Sequence, residues 1–233
     1  MKFFVGTSGY GYKEWKGSFY PEKLPQREML HYYGERFSTV EINNTAYKMP
    51  RASVLESWAG QVPKAFRFVL KAPQTITHFK RLKNAEAPTK DFLKATAALK
   101  KQRGPLLFQL PPNFKKDIPR LKAFLRLLGK TRAAFEFRHE SWFDDEVFDC
   151  LRAKACALCA VDTDELPCTG PVSTTDWGYV RLRRKSYTAR RLAEWVAKLK
   201  RQPWKEVFVF FKHEDSGTGP KLARRFMELA GTK

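Results

Sequence analysis

The sequence predicts a TIM-like (β/α)8 barrel, slightly short for that fold and irregular at its sixth crossover, with residues 1–233 forming one domain. Three observations predict it. Eight short runs of strand length recur along the chain, amphipathic segments of helical period separate most of them, and no Gly/Ser linker, low-complexity tract or fixed-length repeat divides the 233 residues. Strands alternating with helices pair in parallel. Eight such units without a domain break favour a closed barrel over an open doubly wound sheet.

The strand-length runs lie at 3–5, 39–43, 66–71, 106–110, 133–138, 155–162, 178–183 and 207–212. Helix signals fall between them. Asp117 is placed to N-cap a helix with Pro119 in its first turn, Leu121, Phe124, Leu125 and Leu128 on one face and Gly129 at its close. Thr89 is read as the cap of a helix through Ala98, and Thr188 as the cap of one carrying Leu192, Trp195, Val196 and Leu199 on one face. Ser141 with Asp144 resembles a capping box, and Gly219-Pro220 opens a last helix with Leu222, Phe226 and Met227. From Thr163 to Pro171 there is no helical period, so the sixth crossover is expected to be a loop or a single turn.

Composition places the chain among globular proteins. Lys and Arg total 44 against 24 Asp and Glu, a net charge of +20, while 43% of residues are apolar, including 19 Phe and 6 Trp. That excludes a disordered chain. No apolar run approaches the roughly 20 residues of a membrane span, and the apolar patch at 1–6 is too short for a signal peptide. A cytoplasmic protein with no membrane partner and four reduced cysteines is therefore expected. The positive charge favours polyanions such as nucleic acid, or else coats solvated helix faces.

Side chains alternate faces along a strand. In Ala133-Ala134-Phe135-Glu136-Phe137-Arg138, the phenylalanines share one face and Glu136 and Arg138 the other. If the phenylalanines pack under helices, the charged pair points into the barrel. The same parity turns Glu41, Asn43, Lys71, Gln109, Tyr179 and Arg181 inward, near the strand ends where barrel active sites are built. Glu41, Glu136, Lys71, Arg138 and Arg181 would bring two negative and three positive charges to one pocket, a surplus suited to an anionic ligand.

These residues resemble a known family. Gly6-Thr7-Ser8-Gly9-Tyr10, Trp15-Lys16-Gly17 with Phe19-Tyr20-Pro21, Val40-Glu41-Ile42-Asn43-Asn44-Thr45, Lys71-Ala72 with Ile76-Thr77-His78, Leu107-Phe108-Gln109-Leu110-Pro111-Pro112, Phe135-Glu136-Phe137-Arg138 with Ser141-Trp142, and Trp177-Gly178-Tyr179-Val180-Arg181 look like the domain-of-unknown-function family 72, also called YecE-like. The resemblance runs from Gly6 to about Phe211. It implies a TIM-like barrel, names no reaction, and implies that Thr7, Ser8, Glu41, Asn43, Lys71, Gln109, Glu136, Arg138 and Arg181 belong to a shared pocket. In one place the chain departs: where the family tends to carry an Asn pair after the eighth strand, it reads Phe211-Lys212-His213-Glu214.

For chemistry, Glu136 or Glu41 is read as the acid/base residue, with Lys71, Arg138 and Arg181 holding an anionic group and Thr7, Ser8, Asn43 and Gln109 completing the substrate contacts. His78, His139 and His213 with Glu41, Glu136 and Asp162 would supply mixed ligands to a divalent ion. However, His139 turns away from Arg138 and His213 lies where the pattern departs, so no metal is assigned. Cys156 and Cys159, three apart on one strand, face opposite ways and are read as small buried residues. The glycine loop at 6–11 matches neither the dinucleotide fingerprint nor the P-loop, and no cofactor is assigned. Tyr10, Tyr12, Trp15, Phe19 and Tyr20 either stack on a ring at the mouth or plug the barrel top. The expected function is an enzyme acting on a phosphate- or carboxylate-bearing small molecule. The alternative is a nucleic-acid-binding protein or nuclease whose basic rim includes Arg183-Arg184-Lys185, and a third reading leaves the inward charges fully paired and structural.

Overall fold

Apolar runs too short to make a stable helix become strands here because each finds a parallel partner in the sheet. The computed structural model describes residues 1–165, 170–213 and 215–232. Its strands are β1 (Lys2–Thr7), β2 (Thr39–Ile42), β3 (Arg67–Lys71), β4 (Arg103–Gln109), β5 (Ala133–Glu136), β6 (Ala157–Asp162), β7 (Trp177–Leu182) and β8 (Glu206–Phe211). Neighbours pair in parallel in the order β1-β8-β7-β6-β5-β4-β3-β2. The helices are α1 (Met29–Gly34), α2 (Ala52–Gly60), α3 (Glu86–Thr96), α4 (Ile118–Leu127), α5 (Asp145–Arg152), α6 (Ala189–Lys200) and α7 (Thr218–Ala230). Between β6 and β7 the described residues hold no helix, as the sixth crossover was expected to read; Leu166, Pro167, Cys168 and Thr169 of that segment lie outside the described residues.

The caps explain the helix starts. Asp117 accepts from the Arg120 N–H at 3.0 Å, and Thr188 accepts from the Arg191 N–H at 3.2 Å. At α5 the capping group is Asp144, accepting from the Glu146 N–H at 2.9 Å, whereas the Ser141 hydroxyl accepts from the Lys116 N–H at 2.8 Å. Thr89 is not a cap. α3 begins three residues earlier, since Pro88 in a first turn sacrifices no helical hydrogen bond, and the Thr89 N–H instead donates to the Ala85 carbonyl at 3.0 Å.

Strand parity sorts the interior into two packed layers. Phe3, Val5, Val40, Phe68, Phe108 and Phe135 face the helices, while Phe4, Val69, Leu107, Ala134, Cys159, Tyr179, Phe208 and Phe210 fill the barrel. Cys156 and Cys159 fall on opposite sides of that division.

The last seam, between β1 and β2, closes differently. Only an isolated bridge, Ser8 with Glu41, joins the two strands directly. Below it, the Tyr33 phenol from α1 takes the place of a ladder rung. It accepts from the Thr7 N–H at 2.8 Å and donates to the Thr39 carbonyl at 3.0 Å. Gly6 is required for that approach, because a Cβ there would overlap the Thr39 carbonyl oxygen. No helix among the described residues is long and apolar enough to cross a membrane.

Candidate active site at the barrel mouth

Above the apolar barrel filling, the inward positions turn polar at the C-terminal ends of the strands. Arg181 of β7, 1% exposed, lies between two buried carboxylates, Glu41 of β2 and Glu136 of β5. One guanidinium nitrogen pairs with Glu41 at 2.8 Å and the other with Glu136. Glu41 also accepts from the Ser8 hydroxyl at 2.7 Å and the Tyr179 phenol at 2.5 Å. Glu136 also accepts from the Gln109 amide at 2.7 Å and from Arg138 Nε at 3.1 Å. Each carboxylate thus has three donor side chains.

The electrostatics follow. Burial alone would raise the Glu136 pKa, but Arg181 and Arg138 beside it hold it down at about 2. The group stays ionised at neutral pH and holds its donors in place. Burial and the Glu41 charge push the Tyr179 phenol well up, so it remains a donor.

Three basic groups complete the mouth. Lys71, at the end of β3 and 9% exposed, has no hydrogen bond or ion pair within reach. Burial, then the Arg181 charge, push its amine down to about 8. Arg183 continues the inward parity of β7; its half-buried side chain is likewise unpartnered, and burial with the Arg181 charge lowers its pKa. His78 sits on a single π turn (Thr75–Phe79) with Nδ1 2.9 Å from the Thr77 hydroxyl. Burial and the charges of Lys71 and Arg138 lower its pKa.

The structure therefore brings Ser8, Glu41, Lys71, Gln109, Glu136, Arg138 and Arg181 together. Asn43 lies on the wall of an adjoining groove of about 1010 Å³ with Tyr10, Tyr12, Tyr47 and Trp58, and its buried Oδ1 has no partner. Thr7 does not join them. It points to the helix side, where its hydroxyl meets Tyr33 and the Gly9 carbonyl. Of the aromatic run, Trp15, Phe19 and Tyr20 are buried structure under the mouth. Arg184 is drawn off the rim by Asp162 (2.5 Å) and Asp164 (2.8 Å). Asp162 also accepts from Trp195 Nε1 at 2.9 Å, on the helix side. His139 pairs with Ser141, and His213 with the Arg184 carbonyl; no group of three His, Cys, Asp or Glu among the described residues is gathered as a metal would need. Glu214, part of the departure from the family pattern, lies outside the described residues. The sequence offers His78 as one candidate ligand of a metal that is not assigned, and Arg183 as part of the basic rim; the parity of β7 is the signal that turns Arg183 inward.

Comparison with known families bears on this constellation. The model of the family described as "Protein of unknown function DUF72" matches residues 4–233. The chain belongs to the DUF72 family. YunF of Bacillus subtilis (strain 168), a UPF0759 protein, is 24% identical over 272 residues, covering 97% of this chain and 94% of YunF. YecE of Escherichia coli (strain K12), also UPF0759, is 34% identical over 116 residues, 49% of this chain and 43% of YecE. The crystal structure of a DUF72 family protein from Thermotoga maritima superposes with a TM-score of 0.82 at 29% identity, covering 99% of this chain and 100% of that one. A D-psicose 3-epimerase from Clostridium cellulolyticum H10 shares the barrel at a TM-score of 0.57 and 13% identity, over 99% of this chain and 97% of the epimerase. That last likeness is one of fold. The DUF72 barrel thus carries, in this chain, a mouth whose two carboxylates each hold three donors, while the side chains of Lys71 and Arg183 make no hydrogen bond or ion pair among the described residues.

Proposed function

We propose that this DUF72 protein is an enzyme acting on an anionic substrate, phosphate- or carboxylate-bearing, held at the C-terminal mouth of the barrel. The observation that carries the reading is the unbalanced charge. Among the described residues, Lys71, Arg138, Arg181 and Arg183 converge with two carboxylates, Glu41 and Glu136, and both are occupied in fixing Arg181. A ligand anion between Arg138 and Arg183 would supply the missing partner through charge-assisted hydrogen bonds. In this reading Glu41 and Glu136 are positioning residues, and the amine of Lys71 is the group free to act on the substrate.

Titration calorimetry with inorganic phosphate and a set of small carboxylates tests it. Arg183→Met is expected to weaken phosphate binding on the order of tenfold or more, the scale of a lost charged hydrogen bond, without changing the unfolding midpoint. Phosphate and carboxylate binding that is absent, or unchanged in Arg138→Met/Arg183→Met, overturns the reading.

A second reading rests on two exposed aromatics. Tyr47 and Phe79, each 75% exposed, follow β2 and β3 with Lys48, Arg51, Lys80 and Lys83 exposed nearby, a combination that suits stacked bases on a polyanion. If a nucleic acid is the partner, Tyr47→Ala/Phe79→Ala lowers oligonucleotide affinity in a salt series and leaves phosphate binding intact. Equal oligonucleotide binding by parent and variant sets this reading aside.

A further inference from the structure

We propose that Lys71 forms a Schiff base with its substrate, which is a carbonyl compound carrying a phosphate or carboxylate. The inference rests on the anionic-substrate reading above and adds to it the reacting group and its partner.

A buried lysine usually serves in an ion pair. Here the nearby carboxylates are directed elsewhere: Glu41 accepts from Ser8, Tyr179 and Arg181, and Glu136 from Gln109, Arg138 and Arg181. Lys71 has neither a carboxylate within 4.0 Å nor a hydrogen-bonded carbonyl. An ammonium buried without a partner is costly, so the site shifts the equilibrium towards the free amine. Desolvation beside other cations is how an amine nucleophile is activated.

The backbone that carries it is fixed. Lys71 sits in register with Leu107, its carbonyl accepts from the Thr45 hydroxyl at 2.7 Å, and the following Ala72 N–H donates to Leu107 at 2.8 Å. The amine therefore projects from a rigid strand end into the mouth, where the Arg181 and Arg138 charges act on it.

The reaction balances without a further reagent. The Nζ lone pair attacks the carbonyl carbon, and the carbonyl electron pair moves to oxygen, which takes a proton to give a carbinolamine. Loss of water, with one hydrogen from nitrogen and one proton supplied from solution, leaves the iminium: amine plus carbonyl plus one proton gives iminium plus water.

The test is borohydride trapping on the intact protein at pH 7.5. Pyridoxal phosphate serves as the phosphate-bearing aldehyde, glyoxylate as the carboxylate-bearing one and propionaldehyde as the uncharged control, and the modified peptide is found by mass spectrometry. An amine of pKa about 8 holds on the order of a hundredfold more free base at that pH than an exposed lysine. The expected result is close to one equivalent on Lys71 with a charged aldehyde, suppressed by inorganic phosphate and lost in Lys71→Met. Which charged aldehyde labels faster tells the phosphate class from the carboxylate class.

Labelling spread over surface lysines, with no preference for Lys71, overturns the proposal even if the variant does not fold, since it is read on the parent protein. If phosphate still binds in calorimetry, the anionic-substrate reading survives that failure. Preferential labelling of Lys71 by propionaldehyde as fast as by the charged aldehydes would show a reactive amine but overturn the anionic class.

Discussion

Replacing Arg181 by Met is the sharpest perturbation of the mouth. Among the described residues the guanidinium alone touches both Glu41 and Glu136, which are 0% and 1% exposed. Removing one member of a buried ion pair costs about 3–5 kcal/mol, because the remaining charge is left desolvated. Here two carboxylates lose a partner, yet Ser8 and Tyr179 still serve Glu41, and Gln109 and Arg138 still serve Glu136. The expected loss therefore lies at the lower end, about 3–4 kcal/mol at pH 7. For a chain of this size that is a fall in Tm on the order of 10 °C.

The pH dependence gives the prediction its second handle. In the parent, Glu136 is depressed from 4.5 to about 2, which is roughly 3 kcal/mol of stability. A depressed carboxyl contributes fully above its unfolded pKa and loses that contribution as the pH falls from about 4.5 to about 2. Without Arg181, burial works against the charge, and the Arg181→Met protein should pay less for Glu136 once it protonates. The deficit of the variant is thus largest at pH 7 and narrows towards pH 4. Urea unfolding followed by Trp fluorescence at pH 7 and pH 4 measures both quantities. A loss under about 1 kcal/mol at pH 7, or the same loss at both pH values, refutes the assignment of Arg181 as the clamp between the carboxylates.

Tyr33→Phe should cost about 1–3 kcal/mol, since it strands the Thr7 N–H and Thr39 carbonyl in a buried seam; hydrogen exchange at the Thr7 amide should quicken markedly, and an unchanged rate would mean the phenol is not the rung that closes the barrel. Asp162→Asn weakens the joint contact with Arg184 and Trp195 and is expected to cost about 2 kcal/mol in urea unfolding while leaving phosphate affinity as in the parent. A change in phosphate affinity would place Asp162 in the mouth instead of on the helix side.

Much of this architecture is written in short-range pattern. The parity of Phe135 and Phe137 against Glu136 and Arg138 is a local property, and it placed Glu136 correctly because a strand has only two faces. Asp117 and Thr188 are legible as caps for the same reason: a side chain three residues from the N–H that donates to it needs no knowledge of the rest of the fold, whereas in the Ser141-Asp144 pair it is Asp144 that caps. Thr89 ahead of a helical run resembles a cap, but Pro88 before it is tolerated inside a first turn, so the helix starts at Glu86. Thr7 misled because it lies within a motif whose other members face inward, while its own parity sets it under α1 with Tyr33. Tyr33 as a ladder rung has no local signal, since Thr7 and Thr39 are brought to it only by the closing of the barrel.

What parity does not distinguish is which inward charges are spent. By sequence, Glu41, Glu136, Lys71, Arg138 and Arg181 form one population of titratable strand ends, and carboxylates are the natural first choice for acid/base work. The distances divide that population. Glu41 and Glu136 each meet three donors across four different strands and loops, so their charge is committed to holding Arg181. Lys71 and Arg183 occupy equivalent inward positions and meet none. A polar group that evades pairing in a site where its neighbours are saturated is the one left for a ligand to satisfy. The proposal that an amine and a guanidinium face an anion at this mouth rests on that division, with the two glutamates holding Arg181 between them.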